Sequence, residues 1–147
     1  MHREHIRATS CWRNNAPRFD CVFIKHEVAY KSSFRPPFDI ARVFMFFSFI
    51  FEGKQYQCAL VHWFEWTAQQ PDEDTGMWIV SRSRGKDALS IVPVQRIIRA
   101  AHLIPLFGRD KVDAHISNAN SLDEYNFFYV NKYADHHAFE MLHFQTM

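Results

Sequence analysis

The sequence predicts an α+β domain: a small antiparallel sheet or partly open barrel around a central hairpin, followed by a C-terminal helix. Three observations lead there. The run Ala41–Phe51 is rich in β-favouring residues and holds neither Gly nor Pro. The run Tyr56–Trp66 returns from it across Glu52-Gly53-Lys54-Gln55, a turn whose glycine is free to take positive φ. Ser121-Leu-Asp-Glu124 then fits a capping box, and Leu122, Tyr125, Phe128, Tyr129 and Tyr133 follow at helical spacing.

Taken in chain order, residues 1–20 are polar, basic and aperiodic, so a poorly ordered basic arm is expected there, with residues 21–144 as a single globular domain. Cys21-Val-Phe-Ile24 reads as an edge strand. Pro36-Pro37 makes the stretch from Lys31 to Phe38 a loop, because proline cannot donate to a ladder. In the returning strand of the hairpin, Tyr56, Cys58, Leu60, His62, Phe64 and Trp66 share one face, and Gln57, Ala59, Val61, Trp63 and Glu65 the other. Apolar groups on both faces predict a pair covered on both sides, the buried spine of the sheet. Thr67–Gly76 is a loop, Met77–Ser81 a third strand and Arg82–Asp87 a basic turn. Ser90–Val94 is a fourth strand broken by Pro93. Gln95–Ala101 reads as a helical turn and His102–Phe107 as a last short strand. The helix is expected from Leu122 to Tyr133, with an extension through Ala134 to Phe144.

Composition bounds the function. The chain has 147 residues, the size of one domain, and 48% are hydrophobic with fifteen Phe, which makes a core packed with rings. A net charge of +1 excludes a polybasic nucleic-acid binder. The charge is uneven, since residues 1–42 carry eight Lys/Arg against four Asp/Glu. Three cysteines, Cys11, Cys21 and Cys58, form no C-x-x-C pair and signal no structural zinc. The N-terminal residues have no apolar core of a secretory signal, and the Val43–Phe51 run is too short to span a bilayer as a helix. The expected setting is intracellular, nuclear if the partner is chromatin, and without a membrane partner.

Several strings resemble one family when read together: Ala-Arg-Val-Phe-Met-Phe-Phe-Ser-Phe (41–49), Cys-Ala-Leu-Val-His-Trp-Phe (58–64), Asp-Glu-Asp-Thr-Gly-Met-Trp (72–78), Ile-Ile-Arg-Ala-Ala-His-Leu-Ile-Pro (97–105) and Asn-Lys-Tyr-Ala-Asp-His-His-Ala-Phe-Glu (131–140). In this order they resemble a segment recurring in proteins of mushroom-forming fungi, often C-terminal in Plavaka-type transposon proteins, which are distant relatives of the CACTA elements. The resemblance covers roughly residues 20–142. It implies an accessory segment with no established chemistry of its own, since the catalytic core of such transposases lies elsewhere in the longer proteins. The stretch after Trp78 is shorter than in that segment. A looser similarity, of pattern only, is to small β-barrel chromatin modules of the bromo-adjacent homology type.

Four groups of side chains are candidates for a site. Asp72, Glu73 and Asp74 put three carboxylates in three residues, and clustered oxygens suit a hard cation such as Mg²⁺. The plainer reading is a solvated loop, because adjacent residues rarely point at one ion. His136, Glu140 and His143 would share one face of an extended helix, a spacing that can hold zinc, although no H-E-x-x-H pattern is present. His62 and His102 read as strand histidines bonded to backbone. Cys58 and His62 share a strand face but stand about 13 Å apart at ~3.3 Å per residue, which excludes a dyad. Trp63, Trp66 and Trp78 are rings that can stack on a base or cage a methylated lysine if exposed, beside a basic turn of Arg82, Arg84 and Lys86 that can touch phosphate.

No catalytic set is assembled by these residues, and no cofactor is implied; a divalent metal is the one candidate. The leading expectation is a non-catalytic interaction module of a transposon-derived protein, contacting DNA, chromatin or another protein. The alternatives are a metal-dependent enzyme cleaving phosphodiesters through Asp72 and Asp74 or the C-terminal histidines, and a decayed reading frame without selected function.

Overall fold

The structure, a computed structural model, describes residues 4–12, 16–26, 36–106, 122, 125–134, 138, 140 and 142. Ten strands account for most of it. In chain order they are β1 (Ala8–Trp12), β2 (Ala16–Phe19), β3 (Cys21–Lys25), β4 (Phe38–Phe51), β5 (Lys54–Trp66), β6 (Trp78–Arg82), β7 (Leu89–Pro93), β8 (Ile97–Ala101), β9 (Leu103–Pro105) and β10 (Phe127–Val130). One turn of 3₁₀ helix, Val94–Arg96, links β7 to β8. The stretch expected as a basic arm contains the antiparallel β1–β2 hairpin.

The main sheet has the order β8-β3-β4-β5-β6-β10-β9, with β7 also paired to β5. The two ends of this order are β8 and β9, yet only His102 separates them in sequence. The chain therefore steps from one edge of the sheet to the other through a single residue, and the sheet curls into a nearly closed barrel. The Asn131 N–H, at the end of β10, donates to the His102 carbonyl (2.9 Å) and fixes that corner.

Four expectations are corrected. The class is not α+β, because the chain is mostly β and no helix of seven or more residues occurs among the described residues. The expected C-terminal helix fails at its centre, where Phe127–Val130 is a strand. Phe128 and Val130 are buried, while Phe127 is half exposed and Tyr129 only partly covered, a period of two. Tertiary pairing decides the outcome: β10 fills the slot between β6 and β9 and satisfies both neighbours' ladders. The capping residues Ser121 and Glu124 lie outside the described residues. Cys21–Ile24 is not an edge strand; it sits between β8 and β4 with all four side chains buried. Within Gln95–Ala101 only the 3₁₀ turn is helical, and Ile97–Ala101 is β8.

Two apolar layers hold the sheet. Inside the barrel, Phe23, Phe38, Ile40, Phe64, Trp78, Val80, Phe128 and Val130 pack together with Leu103 and Leu142. The rings meet edge to face, as in Phe64–Phe128 (5.8 Å, 90°) and Phe23–Phe38 (5.0 Å, 75°). On the outer side, Val22, Ile24, Ala41, Val43, Ala59, Val61 and Val92 form a second, aliphatic layer, covered by Ile6, Ala8, Trp63 and Ile97. The Asp20 and Arg7 backbones bond to each other here, and the Asp20 carboxylate also accepts from Arg7 N–H (2.9 Å).

Candidate interaction surface

β4 and β5 are 14 and 13 residues long, whereas β3, β6, β7 and β8 have five each. The long pair must overhang its neighbours. β3 pairs with β4 only as far as Arg42, and β7 pairs with β5 only from Cys58. From Ser48 to Gln57 the two strands pair with each other alone among the described residues. The result is a ribbon, here called the arm, that leaves the barrel. Its turn is two residues, Glu52 (φ 50°) and Gly53 (φ 76°), and positive φ at both is the geometry that continues a right-twisted hairpin. An irregularity at Phe44 marks the root, where Val43 opposes Val61 and Met45 opposes Leu60.

Opposed residues share a face, so the pairing sorts the arm's side chains. One face carries Met45–Leu60, Phe47–Cys58, Phe49–Tyr56 and Phe51–Lys54. β7 widens it, setting Pro93, Ile91 and Leu89 against Cys58, Leu60 and His62. This is the barrel's inner face running out into solvent, since Phe64, two residues beyond His62, belongs to the inner core. The other face carries Phe46, Ser48 and Ile50 against Ala59, Gln57 and Gln55. On the first face Met45 is 48% exposed, Phe49 45%, Phe51 60%, Tyr56 37%, Leu89 54% and Ile91 62%. The expectation of a hairpin buried along its length is therefore corrected: its root is core and its outer half is not.

The exposed rings are ordered by one another. Phe49 stacks on Tyr56 at 5.2 Å and 17°, Phe47 lies against Phe49 at 6.4 Å, and Lys54 Nζ sits 5.3 Å over the Tyr56 ring. At the root the guanidinium of buried Arg42 lies 5.5 Å from the Phe19 ring and 5.6 Å from the Phe44 ring, and Arg42 Nε–H donates to the Phe19 carbonyl. His62 Nε2 is 2.8 Å from the Ser83 carbonyl, with its ring against Phe44.

The residues singled out in the sequence sit elsewhere. Trp63 faces the outer layer, and its Nε1–H donates to Ser90 Oγ (2.8 Å). Trp78 is inside the barrel, 1% exposed, in edge contact with half-buried Trp66 at 5.6 Å. The three tryptophans thus form no common open platform. Arg82 Nη2 donates to the Tyr125 carbonyl (2.8 Å) and ties β6 to the chain ahead of β10. Arg84 reaches Asn126 Oδ1 at 3.5 Å, and Lys86 is exposed in the same turn.

The acidic loop is bonded to itself. Asp72 Oδ2 accepts from Thr75 N–H (3.0 Å) and Thr75 Oγ1–H (2.9 Å), and the Asp72 carbonyl accepts from Gly76 N–H (2.7 Å). Gly76 has φ 70°, and a Cβ there would lie 3.0 Å from Lys132 Nζ. Asp74 is exposed, as is Glu140, and His136 and His143 lie outside the described residues. Among the described residues no group of three or more His, Cys, Asp or Glu is placed to hold a metal ion. His102 is exposed, its Nδ1 2.9 Å from Asn131 Nδ2.

A shallow cleft of about 370 Å³ opens beside β3 and β8, lined in part by Glu4, Arg18, Asp20, Cys21, Arg99 and His102. Its charges neutralise each other in pairs, Arg18 with Asp20 (2.9 Å) and Arg99 with Glu4 (3.5 Å). Burial pushes the Cys21 thiol up to about 12, against weaker opposition from Arg42, so it is not a thiolate nucleophile at neutral pH. Asp39, which faces His26 at 3.0 Å, is held above the usual carboxylate range by burial, with His26 as the main opposing influence.

Compared with protein-family models, with curated proteins and with solved structures, the chain has no match. The functional reading therefore rests on the geometry above and on the sequence strings.

Proposed function

We propose that this chain is a non-catalytic interaction module of a transposon-derived protein, and that it binds through the apolar face of the arm. The exposure of that face carries the reading. A monomeric soluble domain seldom presents so many large apolar side chains side by side, and patches of this kind mark contact sites. The family resemblance of the strings 41–49 and 58–64 is the support for the transposon setting, and both strings belong to β4 and β5.

Protein is favoured over nucleic acid as the partner. Between Lys54 at the tip and Arg42 at the root the face carries no cation, so it offers little to a phosphate backbone. The enzymatic alternative is weakened by Asp72, whose carboxylate is engaged in its own turn.

Two measurements on the full chain test the reading. Phe49→Ser and Ile91→Ser are expected to keep the melting temperature within a few degrees of the parent, since a contact face is dispensable for folding. Incubation with labelled duplex DNA and Mg²⁺ or Mn²⁺ is expected to leave the DNA intact. Unfolding of both variants, or metal-dependent cleavage that purifies with the chain, would overturn it.

A further inference from the structure

The arm's face specifies an occupant. Six of its side chains, Met45, Phe49, Phe51, Tyr56, Leu89 and Ile91, are each between 37% and 62% exposed. At about 200 Å² for a large apolar side chain they present roughly 600 Å², before any share from Phe47, Leu60 and Pro93 is added. Two such faces together bury roughly 1,200 Å², the lower bound of a specific protein–protein interface.

The face is also complementary to itself. Its tip half is aromatic, with Phe49, Phe51 and Tyr56. Its root half is aliphatic and thioether, with Met45, Leu60, Leu89 and Ile91. A two-fold axis across the arm lays the rings of one copy on the aliphatic root of the other, where sulfur and methyl groups meet ring faces. Between Lys54 and Arg42 the face has no charge, so the central stretches of two copies meet without like-charge repulsion.

Resting on the proposed interaction surface, we infer that its occupant is a second copy of this chain, the two arms packed face to face about a two-fold axis.

Sedimentation of the full chain, from low micromolar upward, tests this. The parent chain is expected to pass from monomer to dimer and no further. Phe49→Glu and Ile91→Glu, which place a like charge on both copies, should weaken the dimer at least tenfold. Ile50→Glu is the control: Ile50 is 75% exposed on the opposite face, so dimerisation should be unchanged. A parent chain that stays monomeric at all concentrations overturns the inference without any variant being needed. Equal weakening by Phe49→Glu and Ile50→Glu also overturns it, because pairing along the open β4 edge touches both faces alike. A monomeric parent whose serine variants remain folded removes the second copy but leaves the interaction surface standing. If the serine variants unfold, it is the surface that falls.

Discussion

The root and the outer half of the β4–β5 hairpin are built from the same kinds of residue and meet opposite fates. At the root, Ala41, Val43, Ala59 and Val61 are fully buried between β3, β7 and the N-terminal segment. A few residues on, Phe49, Ile50 and Phe51 stand in solvent. β-propensity and apolar character are alike in both, so neither decides burial. What decides it is whether a third and fourth strand reach that far, and β3 and β7 do not.

The largest expected effect separates the two halves directly. Phe128→Ala empties a site that is 0% exposed inside the barrel and should cost about 3–5 kcal/mol. Phe49→Ala, which loses its stacking on Tyr56 and its ring contact with Phe47, should cost under about 1 kcal/mol. Urea unfolding of both variants checks the contrast, and similar costs would break it.

Cys21 sharpens the buried side through pH. Its folded pKa is raised from 9.0 to about 12, so the unfolded chain ionises first. Stability from this group is complete below pH 9 and falls as pH rises from about 9 toward about 12, by about 1.4 kcal/mol per pH unit within that window. Unfolding free energies measured at pH 8 and pH 10.5 should differ less in Cys21→Ala than in the parent.

Gly53→Ala probes the arm alone. The site has open space but φ 76°, so the added Cβ costs about 1 kcal/mol of backbone strain. Amide exchange should quicken in residues 48–57 and stay unchanged in β3 and β10. The smallest effect is expected from Ile50→Thr, within about 0.5 kcal/mol at an exposed strand position.

Much of the β content was legible. The hairpin, its glycine turn and strands close to β6, β7 and β9 follow from β-favouring runs broken by Gly, Pro and polar loops. Leu122, Tyr125, Phe128, Tyr129 and Tyr133 satisfy a helical period, but the vacancy between β6 and β9 demands a strand at Phe127–Val130, and that pairing is invisible to local spacing. The closure through His102 is a long-range pairing that no local pattern carries. The arm had one readable signal: its two strands were expected to be eleven residues long, and the other strands about five. A length mismatch of that size predicts an overhang, whereas composition alone predicts a core. Side-chain chemistry alone does not locate a site, as Trp78 shows: its ring has the chemistry of a stacking platform and is used in the interior of a ring-packed barrel.

Hydroxyl-radical footprinting of the native chain at low concentration tests the central claim most directly, since one experiment reads the rings of both halves. Phe49, Phe51 and Tyr56 should be modified quickly, and Phe23, Phe64 and Phe128 protected until the chain unfolds. Equal protection of both sets in a monomeric sample would show that the arm is core after all, and would contradict the account.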